Sequence, residues 1–248
     1  MIKTLVVSGC SFTNNYHFQT WPRHLPEIDK DIRLHDVSFP GAGNNYIAES
    51  IIQTILRENL DPAETLVIVM WSGVSRKDIV VGKEYYDLLY NACTNQLYDQ
   101  YFAFSGGQVG LWTLSDNPFL KPLFEDWYKS ADRSSMGFES LSSMIRLQSF
   151  LEARNFPYKF MSYVNYWQDI PDYIGRNGDF SLSYYNRGNP YLSLLDKNWI
   201  WADHDKNCLF EYARDRGLLD VDQFHPLEAA HKPFANDIIL PAVEEYFR

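Results

Sequence analysis

The sequence predicts an α/β protein, a three-layer α/β/α sandwich built on a mainly parallel central sheet of about five strands. Short apolar runs at 3–8, 32–38, 65–71 and 158–164 are mostly free of glycine and proline, as strands buried on both faces are. Stretches with helical periodicity stand between them, and alternation through helical crossovers implies a parallel sheet covered on both sides. The chain has 248 residues, of which 46% are hydrophobic and 22% charged, enough to bury one continuous core.

Taken in order, the first run empties into Gly9, Cys10, Ser11, Phe12 and Thr13, a glycine turn followed by a hydroxyl. The second ends in Ser38, Phe39, Pro40, Gly41, Ala42, Gly43 and Asn44, and from there Ile47, Ile51, Ile55 and Leu56 recur at helical spacing over 44–60. The third run ends in Met70, Trp71, Ser72, Gly73, Val74, Ser75 and Arg76. A helix is expected over about 139–155, where Leu141, Met144, Ile145, Leu147, Phe150 and Leu151 form its apolar face ahead of the fourth run. The last helix is expected to begin near Pro226, a residue tolerated in a first turn, and to kink or break at Pro241. Residues 77–137 and 166–207 fit no simple alternation. They read as two aromatic-rich insertions over the C-terminal edge of the sheet, each with helices of its own. The whole of 1–248 reads as a single domain.

Chemistry enters at the two ends of the chain. A serine hydroxyl is a poor nucleophile until an imidazole, itself oriented by a carboxylate, removes its proton. Ser11 directly follows a buried strand, and Asp222 and His225 stand three apart near the C-terminus, followed by Pro226. Open α/β sheets place their sites at the C-terminal strand edge, where such groups can meet. Alone, a Gly-x-Ser turn is equally a helix cap, and an Asp-x-x-His is equally a capping carboxylate beside a surface histidine. Their order along the chain gives the pair its weight.

At these residues the chain resembles the SGNH hydrolases, the GDSL esterases and lipases. Gly9, Cys10 and Ser11 stand where that family has Gly, Asp and Ser, and Asp222, His225 and Pro226 reproduce its Asp-x-x-His-Pro. The stretch from Ser38 to Asn44 looks like the family's second block, with Gly41 the preferred oxyanion donor and Gly43 the alternative. The third block departs from the pattern: the family's Gly-x-Asn-Asp is absent, and Ser72, Gly73, Asn44 or Asn45 must supply its donor, or nothing does. The resemblance implies hydrolysis of an ester by Ser11, His225 and Asp222 as catalytic residues. The oxyanion hole comes from Ser11 and Gly41, with Ser72 and Asn44 as further candidates. Trp71 and Arg76 follow as substrate-binding candidates, Arg76 through its planar fork. The substrate implied is a small-molecule or carbohydrate ester, with removal of an acetyl or other short acyl group. An O-acyltransferase on the same site, or a non-catalytic carbohydrate-binding or assembly protein, are the alternatives. No cofactor is required, because water resolves the acyl-enzyme.

Composition excludes other classes. The net charge is −10 and no cluster of lysines and arginines could neutralise a row of phosphates, so nucleic acid and anionic membrane are not expected partners. No stretch approaches the roughly 20 apolar residues of a membrane span and none reads as a signal peptide, so the expected product is soluble and cytoplasmic. Cys10, Cys93 and Cys208 are too scattered for a disulfide framework or zinc knuckle, and the histidines lack metal-site spacing, so no metal is expected. Cys10 reads as a small buried neighbour of Ser11, since adjacent side chains leave a strand in opposite directions. His231 reads as solvated or helix-packing. The aromatic share of 16% crowds the two insertions; it fits packing, a sugar-stacking cleft, or the interface of a homo-oligomer.

Overall fold

The computed structural model describes residues 1–14, 17–27, 31–89, 94–104, 120–131, 133–164, 191, 194–195, 198–200, 208–221 and 225–247. The chain enters through β1 (Thr4–Ser8), passes a 3-10 turn at Trp21–Glu27, and continues through β2 (Arg33–Asp36), α1 (Asn44–Arg57) and β3 (Thr65–Trp71). It then runs through β4 (Asp78–Val81), α2 (Lys83–Leu89), β5 (Thr94–Leu97), β6 (Gln100–Phe104), α3 (Leu120–Ser130), α4 (Arg133–Ala153) and β7 (Tyr158–Ser162). α5 (Leu209–Asp215) and α6 (Glu228–Phe234) close the fold.

Four of these strands form a wholly parallel sheet in the order β2-β1-β3-β7, with Thr4 opposite both Arg33 and Thr65, and Val67 opposite Tyr158. Beyond β7 the stretch 198–200 occupies a fifth position as an isolated parallel bridge from Trp199 to Phe160, held by Phe160 N–H to the Asn198 carbonyl at 3.0 Å. β3 is buried along its whole length because it is a central strand with helices on both sides of the sheet. α1 turns Ile47, Ile51 and Ile55 into the core and leaves Leu56, expected on the same stripe, 45% exposed. Its Ser50 hydroxyl meets the Ser8 hydroxyl at 2.7 Å, which satisfies two buried polar groups in one contact.

Two elements differ from the sequence reading. The first insertion contains, besides helices, a three-stranded antiparallel sheet in the order β4-β6-β5. Two of its aromatic residues pack against the main domain: Phe102 and Phe104 each meet the Tyr46 ring edge-on at 5.1 Å, and Phe104 stacks on Phe39 at 5.0 Å. The last helix starts at Glu228, near Pro226 as expected, but Pro226 itself stays outside its first turn, held in a bridge to Leu219. A proline has no N–H to return to the preceding turn, and between Pro233 and Pro241 the helix widens to π register over Ala235–Ile239. The second insertion lies mostly outside the described residues.

Candidate active site

Three loops leave the C-terminal ends of β1, β2 and β3 side by side, and the segment carrying His225 meets them. After β1 the chain turns so tightly that the N–H groups of Thr13 and Asn14 both donate to the Cys10 carbonyl at 2.9 Å. Gly9 allows this: a Cβ there would lie 2.1 Å from Thr13 Oγ1 and 3.0 Å from the Met70 carbonyl. Cys10 is buried in the core and Ser11, half-buried, stands on the turn.

His225 is set by backbone rather than by helix. Leu219 and Pro226 pair, the Asp220 N–H donates to the His225 carbonyl at 2.7 Å, and the Leu227 N–H to the Leu218 carbonyl at 2.8 Å. Its ring tilts against Phe12 at 5.6 Å between centroids, and its Nε2 lies 3.4 Å from the Ser11 Oγ across 214 positions of sequence. Proton transfer needs about 2.6–3.2 Å, and such contacts are commonly looser in free enzymes. Asp222 lies outside the described residues.

The second loop is held to the first. The Phe39 N–H donates to the Gly9 carbonyl at 3.0 Å, and the Asn14 amide to the Ser38 carbonyl at 3.0 Å. Phe39 to Ala42 then form a turn, closed by the Ala42 N–H on the Phe39 carbonyl at 3.1 Å, with Pro40 and Gly41 at its centre and Gly41 at φ 84°. That is the signature of a type II turn, which needs glycine at its third position. Among the described residues no hydrogen bond occupies the N–H of Ser11 or Gly41. Gly43, the alternative donor, is committed: its N–H donates to Asp78 Oδ1 at 2.7 Å.

Asn44 is also committed. Its Oδ1 accepts the Ser72 N–H at 2.8 Å, and its amide nitrogen donates to the Ser72 carbonyl and to the Ser140 hydroxyl, both at 3.1 Å. The residue expected as an oxyanion donor is instead a latch between the second loop and the end of β3, and it removes the Ser72 N–H from the same role. Asn45 lies aside and accepts from Arg146 at 3.1 Å. The Ser72 hydroxyl is buried and has no hydrogen-bond partner among the described residues.

Trp71, expected to bind substrate, is fully buried and meets Phe160 edge-on at 5.2 Å, as a residue of a central strand covered on both faces does. Arg76 is half-buried, 5.9 Å from the centroid of Tyr163, whose ring in turn lies 4.5 Å from Phe12. Its guanidinium also donates to the Ala42 carbonyl at 3.5 Å. Arg76 thus leans on the second loop and lines a cavity of about 360 Å³ with Asn45, Lys77, Glu139, Ser143 and Arg146.

Asp78 carries no motif that would draw attention in the sequence. It is fully buried, with Oδ1 on Gly43 N–H and Oδ2 on Tyr46 N–H at 2.8 Å, and burial pushes its carboxyl up to about 7 against these bonds and the charges of Arg76 and Lys77. His231 is buried too; it accepts the Trp21 N–H at 3.3 Å, and burial together with neighbouring His24 lowers it to about 3. Among the described residues no group of three His, Cys, Asp or Glu is placed to hold a metal ion, and no helix is long and apolar enough to cross a membrane.

No family model matches the sequence, and a search of curated proteins finds no match. Solved structures do match over nearly the whole chain. TesA superposes with a TM-score of 0.54 at 12% identity, over 98% of this chain and 99% of that one. The psychrotrophic esterase EstA from Pseudoalteromonas sp., inhibited by monoethylphosphonate, gives 0.51 at 11%, over 99% and 98%. A catalytic mutant of Axe2, an acetylxylan esterase from Geobacillus stearothermophilus, gives 0.52 at 11%, over 97% and 94%. The chain therefore has the SGNH hydrolase fold.

Proposed function

On an SGNH hydrolase fold whose two chain ends bring a serine and a histidine together, we propose that the protein is a serine esterase. The observation that carries this is the approach of Ser11 Oγ to His225 Nε2 at 3.4 Å at the C-terminal edge of the sheet. Ser11 attacks the ester carbonyl while His225 takes its proton. The tetrahedral oxyanion is held by the N–H groups of Ser11 and Gly41, with the uncommitted Ser72 hydroxyl as third donor. His225 then protonates the departing alcohol, and water, deprotonated by the same imidazole, releases the acid. Asp222 orients the imidazole. EstA is inhibited by a phosphonate, and the Axe2 structure is of a catalytic mutant in which histidine is replaced by alanine. Both support this chemistry.

The substrate class is a short acyl ester of a carbohydrate. Axe2, an acetylxylan esterase with the same fold, supports it.

A fluorophosphonate probe and p-nitrophenyl acetate test the reaction. Wild-type protein is expected to be labelled and to turn the ester over, and Ser11→Ala to lose both while unfolding at the wild-type denaturant midpoint. Equal labelling of the two proteins sinks the assignment. Ser72→Ala is expected to lower kcat about 100-fold with KM little changed, the effect of removing one oxyanion donor.

A further inference from the structure

Helix α1 begins immediately after the turn that carries Gly41, and it has no cap of its own: its N-cap residue is Gly43, which has no side chain to offer. The first turn of any helix leaves four N–H groups without partners inside the helix. Two of them, on Gly43 and Tyr46, are taken by the two oxygens of one carboxylate, Asp78, at 2.7 and 2.8 Å. Asp78 comes from β4, in the second sheet, so the cap is supplied across the fold.

We propose that Asp78 is a positioning residue for the oxyanion site: by holding the start of α1, it sets where the Gly41 N–H points when charge develops on the substrate. This rests on the esterase reading above. The Pro40–Gly41 turn is anchored at its start through Phe39 on the Gly9 carbonyl, and at its far end, beyond the Ala42 carbonyl that accepts from Arg76, through Gly43 and Asn44. Those two residues are held by different elements. The Asn44 side chain is bound to the backbone of Ser72, and the Gly43 backbone is bound to the side chain of Asp78.

The grip has no slack. A Cβ on Gly43 would fall 2.7 Å from the Arg76 carbonyl and 2.8 and 2.9 Å from the Asp78 oxygens, closer than real Cβ contacts come. A carboxylate at a helix N-terminus also faces the positive end of the dipole, which favours its charged form. Arg76 and Lys77 favour it too, although Lys77 is shared with Glu139 of α4 at 2.6 Å, and Arg146 of α4 is directed to Glu49 and Asn45 of α1. Burial outweighs these charges and raises the carboxyl to about 7, so the clamp is complete above that pH, where the ionised carboxylate accepts from both N–H groups without turning a hydroxyl proton toward one of them.

Asp78→Asn tests this, because one of the two N–H groups then faces an amide donor. Measured together are kcat and KM on p-nitrophenyl acetate and amide hydrogen exchange across 39–46, with β1 and β3 as internal reference. The expected result is a fall in kcat of about 10 to 100-fold with KM within about threefold, and faster exchange at Gly43 and Tyr46 while β1 and β3 keep their protection. Wild-type kcat in Asp78→Asn overturns the proposal, as does exchange that rises equally in β1 and β3, the mark of a merely structural cap. Absence of Ser11-dependent turnover in the wild type overturns the esterase reading instead, and unchanged exchange at Gly43 and Tyr46 overturns the clamp on its own. Should Asp78→Asn not fold, Asp78→Ser, which keeps one acceptor and no charge, is judged by the same criteria.

Discussion

Asn44→Ala would strip the Ser72 N–H and carbonyl of their partners at once, in a place that water does not reach. Each buried orphan costs about 1–3 kcal/mol, so a loss of about 2–5 kcal/mol is expected, read as a lower urea midpoint. Among single residues, legibility followed how local the signature was. Gly9, Ser11, Gly41 and His225 stand in short motifs whose residue types are dictated by a turn or by proton transfer, and they can be read from a few neighbours. Asn44 could be read as polar and near the site, but whether its amide faces substrate or backbone depends on where Ser72 ends up. Asp78 caps a helix whose N-cap residue stands 35 positions earlier, and nothing in the residues around it records that. That Trp71 is buried could not be read locally, because an aromatic at a strand end looks the same whether or not other elements cover it.

At the level of elements, the strands of the main sheet were legible because burial on both faces demands unbroken apolar runs. The antiparallel sheet was not. β4, β5 and β6 are four or five residues each, and β4 is only partly buried, so neither a continuous apolar run nor a long alternation marks it. That sheet is nevertheless what presents Asp78 to α1. The packing of α1 against the sheet is tested by Ile51→Ala at a fully buried position, expected to cost about 2–5 kcal/mol with kcat of the remaining folded protein unchanged. Gly43→Ala tests the crowded start of the same helix. It is expected to cost about 1–3 kcal/mol and, unlike Ile51→Ala, to lower kcat as well, because the displaced turn carries Gly41.

Across the whole molecule, two buried groups set opposing pH dependences. His231, lowered to about 3 from 6.5, is neutral in the folded protein while the unfolded chain protonates, so its contribution is present above about pH 6.5 and lost as pH falls toward 3. Asp78, raised to about 7 from 3.8, binds in the folded state a proton that the unfolded chain has released, so its contribution is present below 3.8 and lost as pH rises through 7. Between about pH 4 and 6.5 the two slopes oppose, and wild-type stability is expected to change little there. Asp78→Asn removes one slope, and its urea midpoint is expected to fall more steeply than wild type as pH drops from about 7 to about 5. A parallel fall in the two proteins would refute this.

The fold class, the parallel sheet and the candidate serine and histidine were all readable from the residues in order, because strand burial, helical periodicity and turn chemistry each act over a few neighbouring positions. Tertiary structure alone decided that Ser11 meets His225 across 214 positions, that Asn44 and Trp71 serve the frame, and that Asp78 reaches back to α1. Contacts of that kind arise when distant elements pack, and the free energy that selects them is shared among many residues, so no local run of sequence carries their mark.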